Sequence, residues 1–528
     1  MIVDAGEIPK NQTIHTDVCI IGSGAAGITL AREFIEKGFN VCLLESGGME
    51  PRQRTRSLAQ GENVGIPYRP LEYMRSRFFG GTTNAWHGVC EELEELDFEA
   101  RSWVPNSGWP FNYSHLQPFY IRAKALCQLP PESHDEEWKS SFKAKFPFNS
   151  DKLIQRIRFR STMPRFGDVF GEEIVNSSNI TVYLNATVVE IFNNKEANRV
   201  TKIRVCSFEN HEFFLSAKIF VLAAGGIENP RLLLFSNRIN KEGLGNEYDL
   251  VGRFFMTHPL VDSGVLFPQK RRFSRGWHNF YKANVGYPKA TIGLSQETQY
   301  KEELLNLNTA LNASYKESQF DGVNSMLYLL KEIYMVHWSY VPNHISENVK
   351  RIKKDLLNVI LYGLKKMFKP YSLFRSIETF HLSNFLETVP NPDSRVMLSS
   401  KRDAFGVNLV SLDWRMEEID KRSFRRSHEI FAEEFEAAGE GKLLIKIDKD
   451  EHTWPPTLIG FAHHIGTTRM HVDPKKGIVD ANCKVHGLSN LYIAGSSVFP
   501  TAGAAPPTLT IVALALKLAD HIKGLMIR

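Results

Sequence analysis

The sequence predicts an α/β protein, and three observations carry that prediction. A short apolar run, DVCIIG, begins at Asp17 and leads into GSGAAG and an amphipathic segment that ends near Gly38. A second apolar run, NVCLLE, ends at Glu45. The sequence of residues 490–524 also indicates a strand, a loop and a helix. Continuous apolar runs joined by helices indicate parallel strands that are buried on both faces.

The glycine-rich loop has the spacing of a dinucleotide-binding motif. Gly22, Gly24 and Gly27 form G-x-G-x-x-G between the first strand and the helix. The first glycine permits the tight turn, the second lets the backbone approach a pyrophosphate, and the third allows close helix–strand packing. Glu45 ends the second strand, where a carboxylate accepts hydrogen bonds from ribose hydroxyls. Because that carboxylate disfavours a 2′-phosphate, the motif predicts FAD or NAD over NADP.

Bulk properties exclude several other classes of protein. A net charge of +5 over 528 residues is too small to indicate a nucleic-acid partner. The six cysteines show no C-x-x-C or other short ligand spacing, so the sequence supports neither an iron–sulfur cluster nor a zinc site. No apolar run is long enough to span a membrane, and the first residues do not resemble a signal peptide. A cytoplasmic enzyme without a metal site is expected.

Further motifs select FAD and carry a family resemblance. They are RFFGGTTNAWHG at 77–88, VLAAGGIENPRLLL at 221–234, VGRFFMTHP at 251–259, ETVPNPDSRVMLS at 387–399, and HHIGTTRMHVDPKKGIVDANCKVHGLSNLYIAGSSVFP at 463–500. With these segments the chain resembles the glucose–methanol–choline (GMC) oxidoreductases from Asp17 to Asp520, especially the bacterial branch of sugar and polyol dehydrogenases.

The resemblance implies two interleaved domains in the GMC fold. A Rossmann-like FAD-binding domain is expected from residues 12–100, 166–264 and 456–528. An α+β substrate-binding domain is expected from residues 101–165 and 265–455, which are rich in aromatic and charged residues. The chain would therefore leave the nucleotide fold and return to it twice.

The resemblance also implies which positions bind FAD. They are Gly22, Gly24, Ala26, Gly27 and Glu45 for the pyrophosphate and ribose, Val188 for the adenine, Gly81, Thr82 and Asn84 beside the flavin ring, Gly495 and Ser496 near the ribityl chain, and Ala505, Pro506 and Pro507 near the pyrimidine end. Only the backbone of Val188 would act, so an ordinary core residue is an equally good interpretation there. Some family members attach FAD through a histidine just before the motif's tryptophan. Ala85 precedes Trp86 here, so FAD is expected to be non-covalent.

Two neighbouring histidines are candidates for the catalytic base. Oxidation of an alcohol requires hydride transfer from carbon and removal of the hydroxyl proton, and histidine titrates near working pH. The family's base lies three residues before the glycine of the HHIGTT segment, a position that His463 occupies. His464 is the second candidate, because adjacent side chains in an extended segment point to opposite sides. His258, in MTHP, is assigned a structural role.

Pro506 departs from the family pattern. The bacterial branch has Ala-Asn-Pro-Thr-Leu-Thr where this chain has Ala505-Pro506-Pro507-Thr508-Leu509-Thr510, so proline replaces the asparagine that bonds the substrate oxygen. Proline has no donor to offer. One interpretation is alcohol oxidation in which His463 acts with His464 or Asn84. The alternative is an isomerisation, elimination or other flavin-assisted step, and a flavoprotein that only binds its ligand is a third.

A basic segment near the middle of the chain suggests a partner surface. Residues 349–368 show helical apolar periodicity, and the stretch from Lys350 to Arg375 contains eight basic residues and one acid, a net charge of +7. A solvated helix face explains this pattern, and so does a surface that docks on an anionic membrane or an acidic partner. The expected substrate is a small alcohol, a sugar or a lipophilic molecule. The sequence does not assign the electron acceptor.

Overall fold

The central layer of the molecule is an eight-stranded sheet. The computed structural model describes residues 1–130, 148, 150–209, 211–269, 277, 287–315, 321–335, 345–368, 377–450 and 453–526. The strands of this sheet are β1 (Ile2–Asp4), β2 (Thr13–Ile21), β3 (Val41–Leu44), β7 (Ile180–Leu184), β8 (Thr187–Asn193), β9 (Val200–Cys206), β10 (Glu212–Leu222) and β18 (Leu491–Ile493). Their order is β1-β7-β3-β2-β10-β9-β8, and β18 pairs with the end of β10.

The predicted βαβ unit forms the middle of this sheet. Strand β2 pairs in parallel with both β3 and β10, and its residues Val18, Cys19 and Ile20 are fully buried. Helix α1 (Ala25–Glu33) follows the glycine loop, and Glu45 comes directly after β3. Strand β2, the first strand that the sequence predicts, begins at Thr13 and not at Asp17, because these outer residues extend the pairing with β10.

The glycine loop brings β2 and α1 into very close contact. Gly22 has a φ of +109°, which suits glycine alone. A Cβ atom on Gly27 would lie 1.8 Å from the carbonyl oxygen of Gly22. The third glycine of the motif therefore serves helix–strand packing, as the motif predicts.

The strand pairs of a second, seven-stranded sheet are all antiparallel. Its strands are β5 (Val89–Cys90), β6 (Leu153–Arg160), β11 (Gly264–Pro268), β12 (Tyr287–Leu294), β13 (Leu307–Tyr315), β14 (Ile377–Leu386) and β17 (Gly441–Ile445), in the order β17-β11-β14-β13-β12-β6-β5. Buried aromatic and aliphatic residues on one side of this sheet pack against a long helix, Glu418–Ala437. This packing gives the second sheet a core of its own.

A small sheet and further helices complete the fold. The small sheet consists of β4 (Gly61–Asn63), β15 (Arg395–Arg402) and β16 (Asn408–Asp413). The other helices are α2 (Gln53–Ser57), α3 (Glu95–Phe98), α4 (Tyr113–Leu126), α5 (Phe166–Asn176), α6 (Gly225–Phe235), α7 (Gln296–Glu302), α8 (Asp321–Met335), α9 (Ile345–Lys354), α10 (Leu356–Phe368), α11 (Glu418–Ala437) and α12 (Thr508–Met526). The buried face of α12 packs on α1 and α4.

The basic segment at 349–368 is two helices where the periodicity predicts one. Helix α9 ends at Lys354 and α10 begins at Leu356, with Asp355 between them. The Asp355 carboxylate accepts the backbone N–H of Gly322, which ties the junction to the start of α8. The basic residues Lys369 and Arg375 lie outside the described residues.

Among the described residues, none of the helices combines the length and the apolar character that a membrane span requires. The same part of the chain holds no group of three His, Cys, Asp or Glu side chains arranged to bind a metal ion.

Candidate active site

Residues from both large sheets line one cavity of about 950 Å³. The glycine loop and the carboxyl ends of the strands of the eight-stranded sheet line part of it, where ligands bind in open α/β sheets. The seven-stranded sheet contributes Arg160, Ser383 and Phe385. The volume lies near the upper end of the range for small-molecule and cofactor sites.

The nucleotide end of the cavity fits FAD. Glu45 is buried and accepts the Ser23 hydroxyl at 2.6 Å and the Gly47 backbone N–H at 2.9 Å, so its carboxylate is fixed in the cavity wall. A Cβ atom on Gly24 would meet no atom within 4 Å, which leaves open space in front of the α1 N-terminus for a pyrophosphate. On the other side, a Cβ atom on Gly81 would lie 2.7 Å from the Cα of Gly24. The segments that carry Gly24 and Gly81 therefore lie so close together that a side chain at Gly81 would collide with the backbone of Gly24.

Most of the residues predicted to bind the cofactor line this cavity. They are Gly22, Gly24, Ala26, Glu45, Gly81, Thr82, Val188, Gly495, Ser496, Pro506 and Pro507. Three predicted positions are not among the lining residues. Gly27 packs against Gly22, and Ala505 is buried beside the lining prolines. Asn84 uses its amide to donate to the Phe79 carbonyl at 2.9 Å, which holds the glycine turn rather than reaching the cavity.

His463 lies in the cavity wall, and its ring is held by close neighbours. Its Nδ1 atom lies 2.7 Å from Nδ1 of His258, and the two rings are nearly perpendicular, at 88°. Phe385 stacks on the His463 ring with a centroid distance of 5.6 Å, and Phe461 meets it edge-on at 5.0 Å. Because Nδ1 faces His258, Nε2 is the ring nitrogen left for a substrate in the cavity.

His464 also lines the cavity but belongs to a different environment. Its ring lies against Tyr68 and Phe255 at centroid distances of 6.1 Å, and its Nε2 atom is buried without a hydrogen-bond partner among the described residues. Its backbone carbonyl accepts the Ser496 hydroxyl at 2.7 Å. The two adjacent histidines therefore have separate ring contacts, as expected for an extended segment.

Burial keeps all three imidazoles of the site neutral near pH 7. Burial lowers the pKa of His258 to about 4. Burial and then the nearby Arg75 lower the pKa of His464 to about 3. The pKa of His463 lies well below its usual value, first through burial and then through His258, His464, Arg158 and His87. A neutral imidazole is the form in which a histidine accepts a proton.

Several residues of the wall belong to no motif that the sequence assigned to the site. Tyr68, Arg160 and Phe385 line the cavity, and each reaches it from a different segment of the chain. The run LIQRIRFR in β6 did carry a signal, because its arginines alternate and so share one face of the strand. His258, assigned a structural role from the sequence, is bonded to the candidate base itself.

Together the fold and the cavity define a flavin-dependent oxidoreductase. The comparisons with known proteins agree. Residues 390–515 match the family described as GMC oxidoreductase. The fructose dehydrogenase large subunit of Gluconobacter japonicus is 22% identical over 97% of this chain and 98% of its own length. The paromamine 6′-oxidase of Streptomyces fradiae is 24% identical over 96% of this chain and 91% of its length.

Solved structures show the same fold. The pyridoxine 4-oxidase of Mesorbium loti superposes with a TM-score of 0.55 at 17% identity, covering 96% of this chain and 99% of that one. A fungal aryl-alcohol oxidase gives a TM-score of 0.58 at 14% identity and covers 99% of this chain and 100% of its own. The match to the GMC oxidoreductase family thus lies in the C-terminal part of the chain, the fold is that of these oxidases, and the cofactor is FAD.

Proposed function

We propose that this enzyme oxidises a hydroxyl-bearing carbon, with His463 as the base that removes the hydroxyl proton. Bound FAD would supply the chemistry of accepting the hydride from that carbon. The observation that supports the proposal is the position of His463, in the cavity wall with Nδ1 held by His258 at 2.7 Å. Nε2 is then the atom that takes the proton as the carbon–hydrogen bond is broken.

The surroundings of His463 suit this role. Phe385 covers one face of the ring and Phe461 packs against it edge-on, so these contacts hold the base in a fixed geometry for the substrate. The depressed pKa leaves Nε2 unprotonated before substrate arrives. His463 therefore does not have to lose a proton before it acts as the base.

The substrate class is a small alcohol, sugar or lipophilic alcohol. Leu260, Ile459 and Phe461 give the cavity an apolar wall, whereas Ser383 and Arg160 provide polar groups on the seven-stranded sheet. The relatives include enzymes named for fructose, paromamine and 2-methyl-1,2-propanediol. A primary or secondary alcohol next to further oxygen atoms fits both the wall and these names.

Pro506 favours a second candidate function. It lines the cavity in the position where the family pattern has asparagine. A flavin-assisted isomerisation or elimination would need no second donor to an alcohol oxygen, so it is compatible with proline there. In that case product would form while the flavin stays oxidised throughout.

Two matched variants test the proposed base. His463→Ala should lower the rate of flavin reduction by substrate about 10²–10⁴-fold, the usual range for a general base, while FAD content is retained. His464→Ala is the control, because it removes an adjacent buried ring that contacts Tyr68 and Phe255 instead of the His258 ring. Its effect on anaerobic flavin reduction should be smaller. If His464→Ala proves the more damaging change, the base is assigned to the wrong residue.

A further inference from the structure

His258 connects the candidate base to a fixed turn of the backbone. It is fully buried, and its Nε2 atom lies 3.0 Å from the carbonyl oxygen of Gly503. A carbonyl oxygen only accepts, so Nε2 of His258 must carry the hydrogen of this bond. In a neutral imidazole the other nitrogen, Nδ1, then has a lone pair and no hydrogen.

The 2.7 Å contact between the two Nδ1 atoms requires one hydrogen between them. Because neutral His258 offers only a lone pair there, the hydrogen must belong to His463. We infer that His258 is a positioning residue that fixes His463 in its Nδ1–H tautomer and leaves Nε2 unprotonated as the base. This inference rests on the proposed function of His463.

The anchor of this chain of bonds is rigid. Gly503 has a φ of +56°, and a Cβ atom there would lie 2.4 Å from a methyl group of Leu93 and 2.8 Å from a carboxylate oxygen of Asp97. The carbonyl that receives the His258 N–H is therefore held by packing on its own residue. Gly503 also immediately precedes the segment that carries Pro506 and Pro507.

The arrangement predicts how protonation of His258 or of His463 affects the base. Protonated His258 would donate from both nitrogens, so His463 would have to accept at Nδ1 and carry its hydrogen at Nε2. The base would then be blocked. In the opposite direction, when His463 takes the substrate proton at Nε2, its Nδ1–H already has the His258 lone pair as acceptor, which stabilises the imidazolium.

Two variants of His258 test this role. His258→Phe removes the acceptor but keeps an aromatic ring, and should slow anaerobic flavin reduction about 10- to 100-fold, by analogy with the loss of partners that orient metal-binding histidines. His258→Asn keeps an oxygen acceptor near the Nδ1 position and should recover most of the rate. In both variants FAD binding, measured by flavin fluorescence, should remain close to that of the wild type.

The pH profile gives a readout that a structural role would not move. The titratable and charged groups that face His463 are His258, His464, Arg158 and His87, and a positive charge on any of them lowers the pKa of His463. Wild-type flavin reduction should therefore stay constant as pH falls from neutrality to about 6.5, the ordinary histidine value, and decline only below it. His258→Phe removes the acceptor that stabilises the His463 imidazolium, so its acid limb should move downward in pH.

Three outcomes separate the possible failures. Equal rates in the wild type and both His258 variants would overturn the positioning role. So would equal losses in both variants that match a loss of thermal stability, because that result describes packing alone. A His463→Ala variant that reduces its flavin at the wild-type rate would overturn the proposed function itself, whatever the His258 variants do. Ring ¹⁵N shifts of labelled His463 should show a protonated Nδ1.

The outer surface formed by α9 and α10 exposes an aliphatic cluster. Helix α9 has no buried residue, and four aliphatic side chains at the start of α10 are at least 46% exposed: Leu356, Leu357, Ile360 and Leu361. Leu357 reaches 70%. An exposed aliphatic cluster of this kind marks an interaction site.

Cations lie beside the aliphatic cluster. Lys350, Arg351, Lys353 and Lys354 occupy α9 and are exposed. Two acids accompany them between Ile345 and Leu361: Glu347 bonds Arg351 at 2.8 Å, and Asp355 accepts the Gly322 N–H. The surface is therefore cationic next to an apolar patch.

We propose that the α9–α10 surface docks on an anionic lipid membrane. Exposed leucines that insert at the headgroup boundary, together with lysines that meet lipid phosphates, are the two components of reversible membrane attachment. An acidic protein would pair with the cations but would not require four exposed aliphatic side chains. A second copy of the chain would bring like charges together.

Vesicle sedimentation of the holoenzyme tests the proposal. Binding to phosphatidylcholine vesicles that contain about one-third phosphatidylglycerol, whose anionic headgroups attract such cations, should clearly exceed binding to phosphatidylcholine alone. Leu357→Ser with Ile360→Ser, and separately Lys350→Glu with Lys353→Glu, should each abolish most of it. Val472→Ser is the matched control, because Val472 is 68% exposed in a loop of another part of the chain.

Other results would contradict the proposed membrane docking. Absence of vesicle binding, or binding that both double variants retain, would overturn the membrane assignment. A concentration-dependent dimer that the leucine variant dissociates would instead assign the surface to a second copy. Flavin reduction by soluble substrate should be the same in all variants, since none of the substituted residues lines the cavity.

Discussion

Pro506 shows how one side chain can alter the chemistry that a site offers. The residue is part of the cavity wall and lies three positions after the Gly503 turn that anchors His258. An asparagine there would place an amide donor and acceptor in the cavity, whereas proline offers neither. Any second hydrogen bond to the substrate must come from another lining residue, and Ser383 and Arg160 have the required groups.

Pro506→Asn should change flavin reduction only modestly on simple alcohols. One neutral hydrogen bond contributes about 0.5–1.5 kcal/mol, so a gain of up to about tenfold is expected in stopped-flow measurements. Activity on the native substrate should fall if the pyrrolidine ring packs on an apolar part of it. A large gain on every substrate would show that Pro506 has no bearing on specificity.

Ala85 predicts that FAD is released by acid. It lines the cavity in the position from which some family members attach the cofactor, and its methyl group forms no such bond. Acid precipitation should therefore leave all of the yellow colour in the supernatant. Colour in the washed pellet would point to His87, which also lines the cavity, and His87→Ala would then release it.

At the scale of the element, the βαβ unit could be predicted from sequence because its signals are local. The apolar runs, the glycine spacing and the terminal acid lie within about 30 residues, as such units require. The seven-stranded sheet has no such signal. Its strand β6 buries Arg156 and Arg158, which pair with Glu94 and Glu91 from distant parts of the chain. Burial of arginine depends on those partners and cannot be read from the strand alone.

The difference between local signals and long-range contacts also explains which site residues could be predicted from the sequence. His463 and the glycine loop lie in motifs, so their positions in the cavity could be expected. The contact between His258 and His463 joins residues that are 205 positions apart in the sequence. Phe385 reaches the same ring from strand β14. Such contacts arise from the pairing of elements, and no local pattern contains them.

Two glycines of the α1 loop should respond differently to the same substitution. Gly27→Ala would force a Cβ atom against the Gly22 carbonyl, so the free energy of unfolding should fall by about 1–3 kcal/mol, the cost of overpacking. Gly24 has a φ of −75° and open space at its Cβ position, so Gly24→Ala should leave apoprotein stability unchanged. Its methyl group would instead occupy the pyrophosphate space.

Urea unfolding of the apoproteins and FAD titration by fluorescence separate these effects. Gly24→Ala should bind FAD markedly more weakly and keep a normal unfolding curve. Equal FAD affinity in Gly24→Ala and the wild type would place the pyrophosphate elsewhere. Unchanged stability in Gly27→Ala would mean that α1 can move away from β2 without cost.

At the scale of the whole molecule, a buried ion pair joins distant segments of the chain. Arg101 and Glu387 have fully buried side chains and lie 2.8 Å apart at the Nη1–Oε2 contact. Glu387 also accepts the backbone N–H of Asn306 at 3.0 Å. The pair links the segment after α3 to the end of β14, the strand that carries Phe385.

Glu387→Gln should strongly destabilise the fold, because it leaves the Arg101 charge buried without its counterion. Removing one partner of a buried pair costs about 3–5 kcal/mol. The control is Glu347→Gln, which breaks an exposed pair with Arg351 and should cost less than about 0.5 kcal/mol. Urea unfolding of both variants measures the difference, and equal costs would contradict the structural role of the buried pair.

The flavin spectrum during one turnover tests the proposed hydride transfer most directly. The holoenzyme is mixed without oxygen with its alcohol substrate, once with hydrogen and once with deuterium on the hydroxyl-bearing carbon. Hydride transfer with His463 as the base predicts that the flavin absorbance bleaches, that bleaching is slower with deuterium, and that His463→Ala slows it further. Formation of product while the flavin stays oxidised throughout would contradict hydride transfer and favour the isomerisation or elimination alternative.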